Sequence, residues 1–94
     1  MWPDADELAQ VLNVENTTDW ATTLDRVMAA GIGKVKSDCR LWGTDVEDTP
    51  TDSQAQAALR MAELMASRPD GSAPPRDPTY LRLLTGQRKG FTLA

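Results

Sequence analysis

The sequence predicts an all-helical fold: a small bundle with one long central helix, a short C-terminal helix and an extended C-terminal tail. Two observations carry this expectation. Apolar residues recur at three- and four-residue spacing along most of the chain, the period of an amphipathic helix. Capping residues paired with prolines, and stops made of proline and glycine, divide the 94 residues into helix-sized blocks. A chain of this length makes one core, with a helical domain over 1–86 and a tail over 87–94.

The first helix is expected over residues 3–12. Pro3 suits a first helical position, Asp4, Asp6 and Glu7 place negative charge near the unpaired amides, and Leu8, Val11 and Leu12 share a face. Trp2 is placed to fold back on that stripe. A polar break over 13–18 follows, with Asn16 and Asp19 as an approximate capping box and Thr17 as a rival cap. The long helix then runs to about residue 41. Its seam is Trp20, Leu24, Val27, Met28, Gly31, Val35, Cys39 and Trp42, with Asp25, Lys34, Lys36 and Arg40 on wetter faces. At about 36 Å it exceeds what so small a core needs, so part of it is expected to project. Gly31 and Gly33 each cost ~1 kcal/mol against Ala inside a helix, so either close helix–helix approach or a kink is expected there.

Residues 43–48 form an acidic, turn-rich loop. The third helix is expected to begin at Thr49-Pro50 with Asp52 completing a capping box, and to run to about residue 67. Its packing face is Ala55, Ala58, Leu59, Ala62, Met65 and Ala66, and Arg68-Pro69-Asp70-Gly71 stops it. A proline-rich connector leads to a last short helix capped by Asp77 and opened by Pro78. Tyr80, Leu81 and Leu84 are its apolar contacts and Gly86 its end. The tail is basic and then alternates in Phe91-Thr92-Leu93. It suits a disordered end or strand addition to a partner.

The inventory of reactive side chains is short. There is no His and a single Cys, so the usual zinc sets are out of reach, and Cys39 lacks an activating base. Cys39 reads as a small buried hydrophobe. The cluster Asp45-Val46-Glu47-Asp48 lacks the spacing and central glycine of a calcium loop, and reads as a solvated acidic loop or an electrostatic contact. No cofactor, no metal and no enzymatic activity are expected. No stretch suits a membrane span, and Met1-Trp2-Pro3-Asp4 lacks the marks of a signal peptide, so synthesis in a cytoplasm is expected.

Charge is uneven. Residues 1–52 carry 11 acidic and 4 basic side chains, net −7, and residues 53–94 carry 3 and 6, net +3. An acidic chain is a poor general binder of nucleic acid, whereas opposite ends of this kind suit protein–protein contact. Arg82, Arg88 and Lys89 beside Phe91 and Leu93 suit docking on an acidic partner surface. Trp42, beside a glycine at a helix end, suits an interface anchor.

Across nearly its whole length the chain resembles the head–tail connector (adaptor, or head completion) proteins of long-tailed bacteriophages. The resemblance rests on Trp2-Pro3 with Glu7-Leu8-Ala9, the long helix from about Trp20, and Ala57-Ala58-Leu59-Arg60-Met61-Ala62-Glu63-Leu64-Met65 closed by Arg68-Pro69-Asp70-Gly71. It continues with Asp77-Pro78-Thr79-Tyr80-Leu81-Arg82-Leu83-Leu84 and Gly86-Gln87-Arg88. Relatives often carry an aromatic residue where this chain has Met65-Ala66-Ser67.

The resemblance implies a ring of this chain, typically about twelve copies, seated under the portal protein and extending the DNA channel. The ring would offer a surface to a stopper or tail-completion protein. Portal docking would fall to Leu81, Arg82, Leu84, Arg88, Lys89, Phe91 and Leu93. Ring contacts or the channel lining are expected of Trp42, Asp45, Glu47 and Asp48; the acidic cluster over 45–48 motivates this placement, since its like charge would let DNA pass without specific binding. The expected location is the virion, at the head–tail junction. The rival reading is a small cytoplasmic helical binding or regulatory module.

Overall fold

The computed structural model describes residues 1–14, 18–67 and 76–85. Among them the chain forms four helices and no strand: α1 (Ala5–Leu12), α2 (Thr18–Asp38), α3 (Asp52–Ala66) and α4 (Pro78–Leu84). The expected all-α bundle with a long central helix is therefore what the chain builds. α2 packs on α1 and α3, and α3 packs also on α1 and α4. The expectations for caps at Asn16 and Thr17, the Trp20 side chain, the stop at 68–71, the proline-rich connector, Gly86 and the tail lie outside the described residues.

α1 begins two residues later than the proline suggested. Asp4 is its N-cap, with the carboxylate accepting from the Glu7 amide at 2.9 Å. A short side-chain oxygen satisfies an otherwise unpaired amide, which proline cannot do. Pro3 precedes the cap and is buried. Ala5, Leu8 and Ala9 are buried and Leu12 packs beside them, whereas Val11 stays 43% exposed. The stripe is thus turned away from the one expected. Asn13 closes the helix with φ 58, and the amides of Asn13 and Val14 donate to the Gln10 and Ala9 carbonyls at 3.2 and 3.0 Å.

α2 runs unbroken through its glycines. A β-carbon at Gly31 would stand 2.6 Å from the Ala58 carbonyl oxygen and 3.1 Å from the Ala62 Cβ, so close approach of α2 and α3 is what this glycine permits. Leu24, Met28, Val35 and Cys39 are buried along the seam, and Val27 and Ile32 pack beside them. The seam is buried at intervals from Leu24 to Cys39, and α2 packs on both α1 and α3. The helix stops at Asp38, three residues early. Arg40 takes φ 59, and the Arg40 and Leu41 amides donate to the Ser37 and Lys36 carbonyls at 3.3 and 2.8 Å. This left-handed cap turns Leu41 inward, only 1% exposed, and leaves Trp42, expected on the seam, 54% exposed beyond the helix end.

α3 starts at Asp52, not at Thr49-Pro50. Thr51 is the N-cap: its hydroxyl accepts from the Gln54 amide at 3.1 Å, and the Gln54 side chain accepts from the Thr51 amide at 2.9 Å. Gln is long enough to close this reciprocal pair, and Asp52, directly after the cap, stands two residues short of the position that closes it. The buried face is Gln54, Ala57, Ala58, Met61 and Ala62. Of the expected face, Ala58 and Ala62 are buried, and Ala55, Leu59, Met65 and Ala66 are only partly covered.

α4 begins as expected, with Asp77 accepting from the Tyr80 amide at 2.9 Å and Pro78 in the first turn. The Asp77 carboxylate also takes a two-point contact from Arg60 of α3, Nε to Oδ2 and Nη2 to Oδ1, each 3.1 Å. Tyr80 is buried and its hydroxyl donates to Asp38, the last residue of α2, at 2.6 Å. Two polar contacts therefore fix a helix of seven residues that packing alone would hold weakly.

Candidate functional site

Among the described residues, a constellation of aromatic and charged side chains is centred on Lys36. Its ammonium stands 4.9 Å from the Trp42 ring centre and 5.7 Å from that of Trp2. It reaches Glu47 at 3.5 Å and Asp48 at 3.8 Å. The Lys36 side chain is only 12% exposed. Lys36 was expected on a wetter face; two indoles and two carboxylates drawn from sequence-distant segments cover it instead. An ammonium between indole faces is held by the ring quadrupoles, more strongly as water is excluded.

Each participant is positioned by local structure. The cap at Arg40 and the left-handed turn at Gly43, φ +74, send the chain back across the end of α2. Thr44 ties the turn to the Leu41 carbonyl through its amide at 3.0 Å and its hydroxyl at 2.6 Å. Glu47 folds inward and accepts from the Gly43 amide at 3.1 Å, while Val46 packs against the core. The Trp42 indole donates to the Ser37 hydroxyl at 2.9 Å. Trp2 was expected to staple the α1 stripe. It does pack at the core edge, but its indole N–H donates to the Glu47 carbonyl at 2.7 Å, 45 residues away.

The structure thus brings Trp42, Glu47 and Asp48 together, with Asp45 exposed on the same turn. Glu47 is a structural acceptor rather than a solvated charge; Asp48, with a side chain 90% exposed, is solvated. Of the residues expected to dock a partner, Leu81 is 39% exposed, Arg82 is exposed and Leu84 is half-buried. Arg88, Lys89, Phe91 and Leu93 lie outside the described residues. Cys39 is buried. Among the described residues no group of three or more His, Cys, Asp or Glu side chains converges as a metal site would.

The electrostatics of the α4 anchor differ from those of the Lys36 cluster. The Arg60 guanidinium, and then the Tyr80 amide, hold the Asp77 carboxyl below its usual value. Burial, and then the hydrogen bond to Asp38, push the Tyr80 phenol up. Both groups keep the protonation state that the fold needs at neutral pH. Their role is to fix α4 and, with it, the place where the tail begins.

No protein-family model, curated protein or solved structure matches the chain. What the constellation does is argued from its own geometry. It presents a half-exposed tryptophan beside carboxylates at the end of α2.

Proposed function

We propose that the chain is a non-enzymatic structural subunit acting through protein–protein contacts, and specifically a head–tail connector of a tailed bacteriophage. The observation that carries the contact role is Trp42. A tryptophan half out in solvent, braced through Ser37 and Lys36 and flanked by carboxylates, suits an interface anchor. The connector assignment is supported by the order and relative lengths of the helices and by the motifs from Trp2-Pro3 to Gly86-Gln87-Arg88.

In this reading Trp42, Asp45, Glu47 and Asp48 contact the neighbouring copy or line the channel. Leu81, Arg82 and Leu84, with Arg88, Lys89, Phe91 and Leu93, grip the portal. Copies close into a ring by head-to-tail contacts between the acidic first half and the basic second half. A stopper or tail-completion protein sits on the far side, and DNA passes without specific binding. The test is quantitative mass spectrometry of purified particles, counting this chain against the portal protein. A ratio near one to one is expected. Particles with a full portal complement and none of this chain would end the connector reading in favour of a cytoplasmic binding module.

A further inference from the structure

Of the other three helices, α4 lies along α3 alone. Among the described residues Tyr80 is its one side chain in the buried core. Leu83 and Leu84 pack at the core's edge, whereas Pro78, Thr79, Leu81 and Arg82 are exposed. The side-chain bonds that anchor α4 come from its cap and first turn: Asp77 to Arg60 of α3, and Tyr80 to Asp38 of α2. The Arg60 side chain is 33% exposed, so water weakens the first of these.

The rest of the buried core stands without α4. Its other apolar side chains come from α1, α2, α3 and the turn residue Leu41. The close approach of Gly31 to Ala58 and Ala62 involves no residue of α4. Seven residues fall well short of the ~12–15 at which an isolated helix begins to persist in water. Once detached, α4 therefore loses its turns together. Detachment withdraws one aromatic side chain from the core and exposes far less surface than unfolding, which is the condition for opening as a separate unit. Cys39 lies beside that aromatic ring. It follows Asp38 directly, is 1% exposed, and stands near enough to act electrostatically on the Tyr80 phenol. We infer that α4 is a latch that opens as a unit while α1, α2 and α3 stay folded, and that Tyr80 in the closed latch shields the Cys39 thiol. In the open state the thiol and the α3 surface beneath α4 meet water. The latch does not rest on the connector reading.

Because Cys39 is the single cysteine of the chain, its alkylation by iodoacetamide reports the opening. The rate is followed by mass spectrometry of the full chain in increasing urea, beside the global unfolding curve. It is expected to stay nearly flat in dilute urea, since little surface is exposed, and to climb steeply only where global unfolding takes over. Tyr80→Phe keeps the ring and removes the hydroxyl. It should speed alkylation without urea about tenfold, the effect of losing a hydrogen bond to a charged acceptor. Leu8→Val loosens α1, which does not lie against α4. It should lower global stability and leave the alkylation rate in water unchanged; Ala9→Gly on the same helix serves if that variant does not fold. A native rate that follows global unfolding from zero urea would overturn the latch. So would a rate that rises in the α1 variant by the same factor as its unfolding constant. An unchanged rate in Tyr80→Phe would overturn the shielding by Tyr80. None of these results bears on the particle count that tests the connector reading.

Discussion

A β-carbon added at Gly31 would meet backbone, the Ala58 carbonyl oxygen at 2.6 Å and the Ala62 amide nitrogen at 3.0 Å, neither of which can swing aside. Gly31→Ala is therefore expected to lower stability by about 1–3 kcal/mol, read by chemical denaturation. Two residues on, the nearest atom to such a carbon is Trp42 Cζ2 at 3.8 Å, an ordinary contact. Gly33→Ala should raise stability by up to ~1 kcal/mol in the same assay, because only the helix-propensity gain remains. Equal losses at both positions would contradict the close approach of α2 and α3. The sequence marks both glycines as anomalous and does not say which one faces a neighbour. Arg40 presents the reverse case, a side-chain-bearing residue at φ 59. Left-handed backbone costs such a residue ~1–2 kcal/mol, and glycine's greater freedom when unfolded offsets part of the relief. Arg40→Gly should thus gain about 0.5 kcal/mol, visible as a rise of a few degrees in Tm.

At the scale of elements, the caps decide what was legible. Thr51 and Gln54 spell a proper capping box, with the acceptor side chain three residues after the threonine. The rival pair Thr49-Pro50 is a good start by composition alone, and the reciprocal hydrogen bonds override it. Asp77-Pro78 was readable because cap and proline coincide there. Its pairing with Arg60 was not, since 17 residues separate them and no local pattern links them. That pairing gives stability a pH dependence. The unfolded Asp77 carboxyl titrates near 3.8 and the folded one lower, so the contact is intact above the unfolded value. It is lost as pH falls through the depressed folded value. Asp77→Asn should be less stable at neutral pH and show a shallower loss between about pH 5 and pH 2 than the native chain, followed by far-ultraviolet circular dichroism. A parallel pair of curves would show that Arg60 does not shift this carboxyl. Lys36 behaves as a node between elements. Lys36→Met keeps the stem and removes the charge, and a loss of about 1 kcal/mol is expected, together with altered tryptophan emission.

At the scale of the molecule, helical periodicity and punctuation sufficed for the fold class, because four amphipathic or capped segments joined by turn-rich stretches have few ways to bury their faces. The candidate contact surface was only half readable. Trp42 and the acidic turn were marked by composition, since an aromatic beside Gly43 and three carboxylates within four positions stand out. Lys36 was not, because what surrounds it comes from residue 2 and residues 42–48, and only the tertiary fold brings these together.

The bond from the Trp2 indole to the Glu47 carbonyl ties the start of the chain to a turn 45 residues later, across both α1 and α2. Closing so long a loop for one hydrogen bond and one ring contact is entropically unfavourable until the intervening helices have packed. Seating of Trp2 is thus a late event in folding rather than part of its nucleus. In stopped-flow refolding, Trp2→Phe should leave the folding rate nearly unchanged and speed unfolding. The first residues of the chain then serve as a clasp that closes only on a molecule already built.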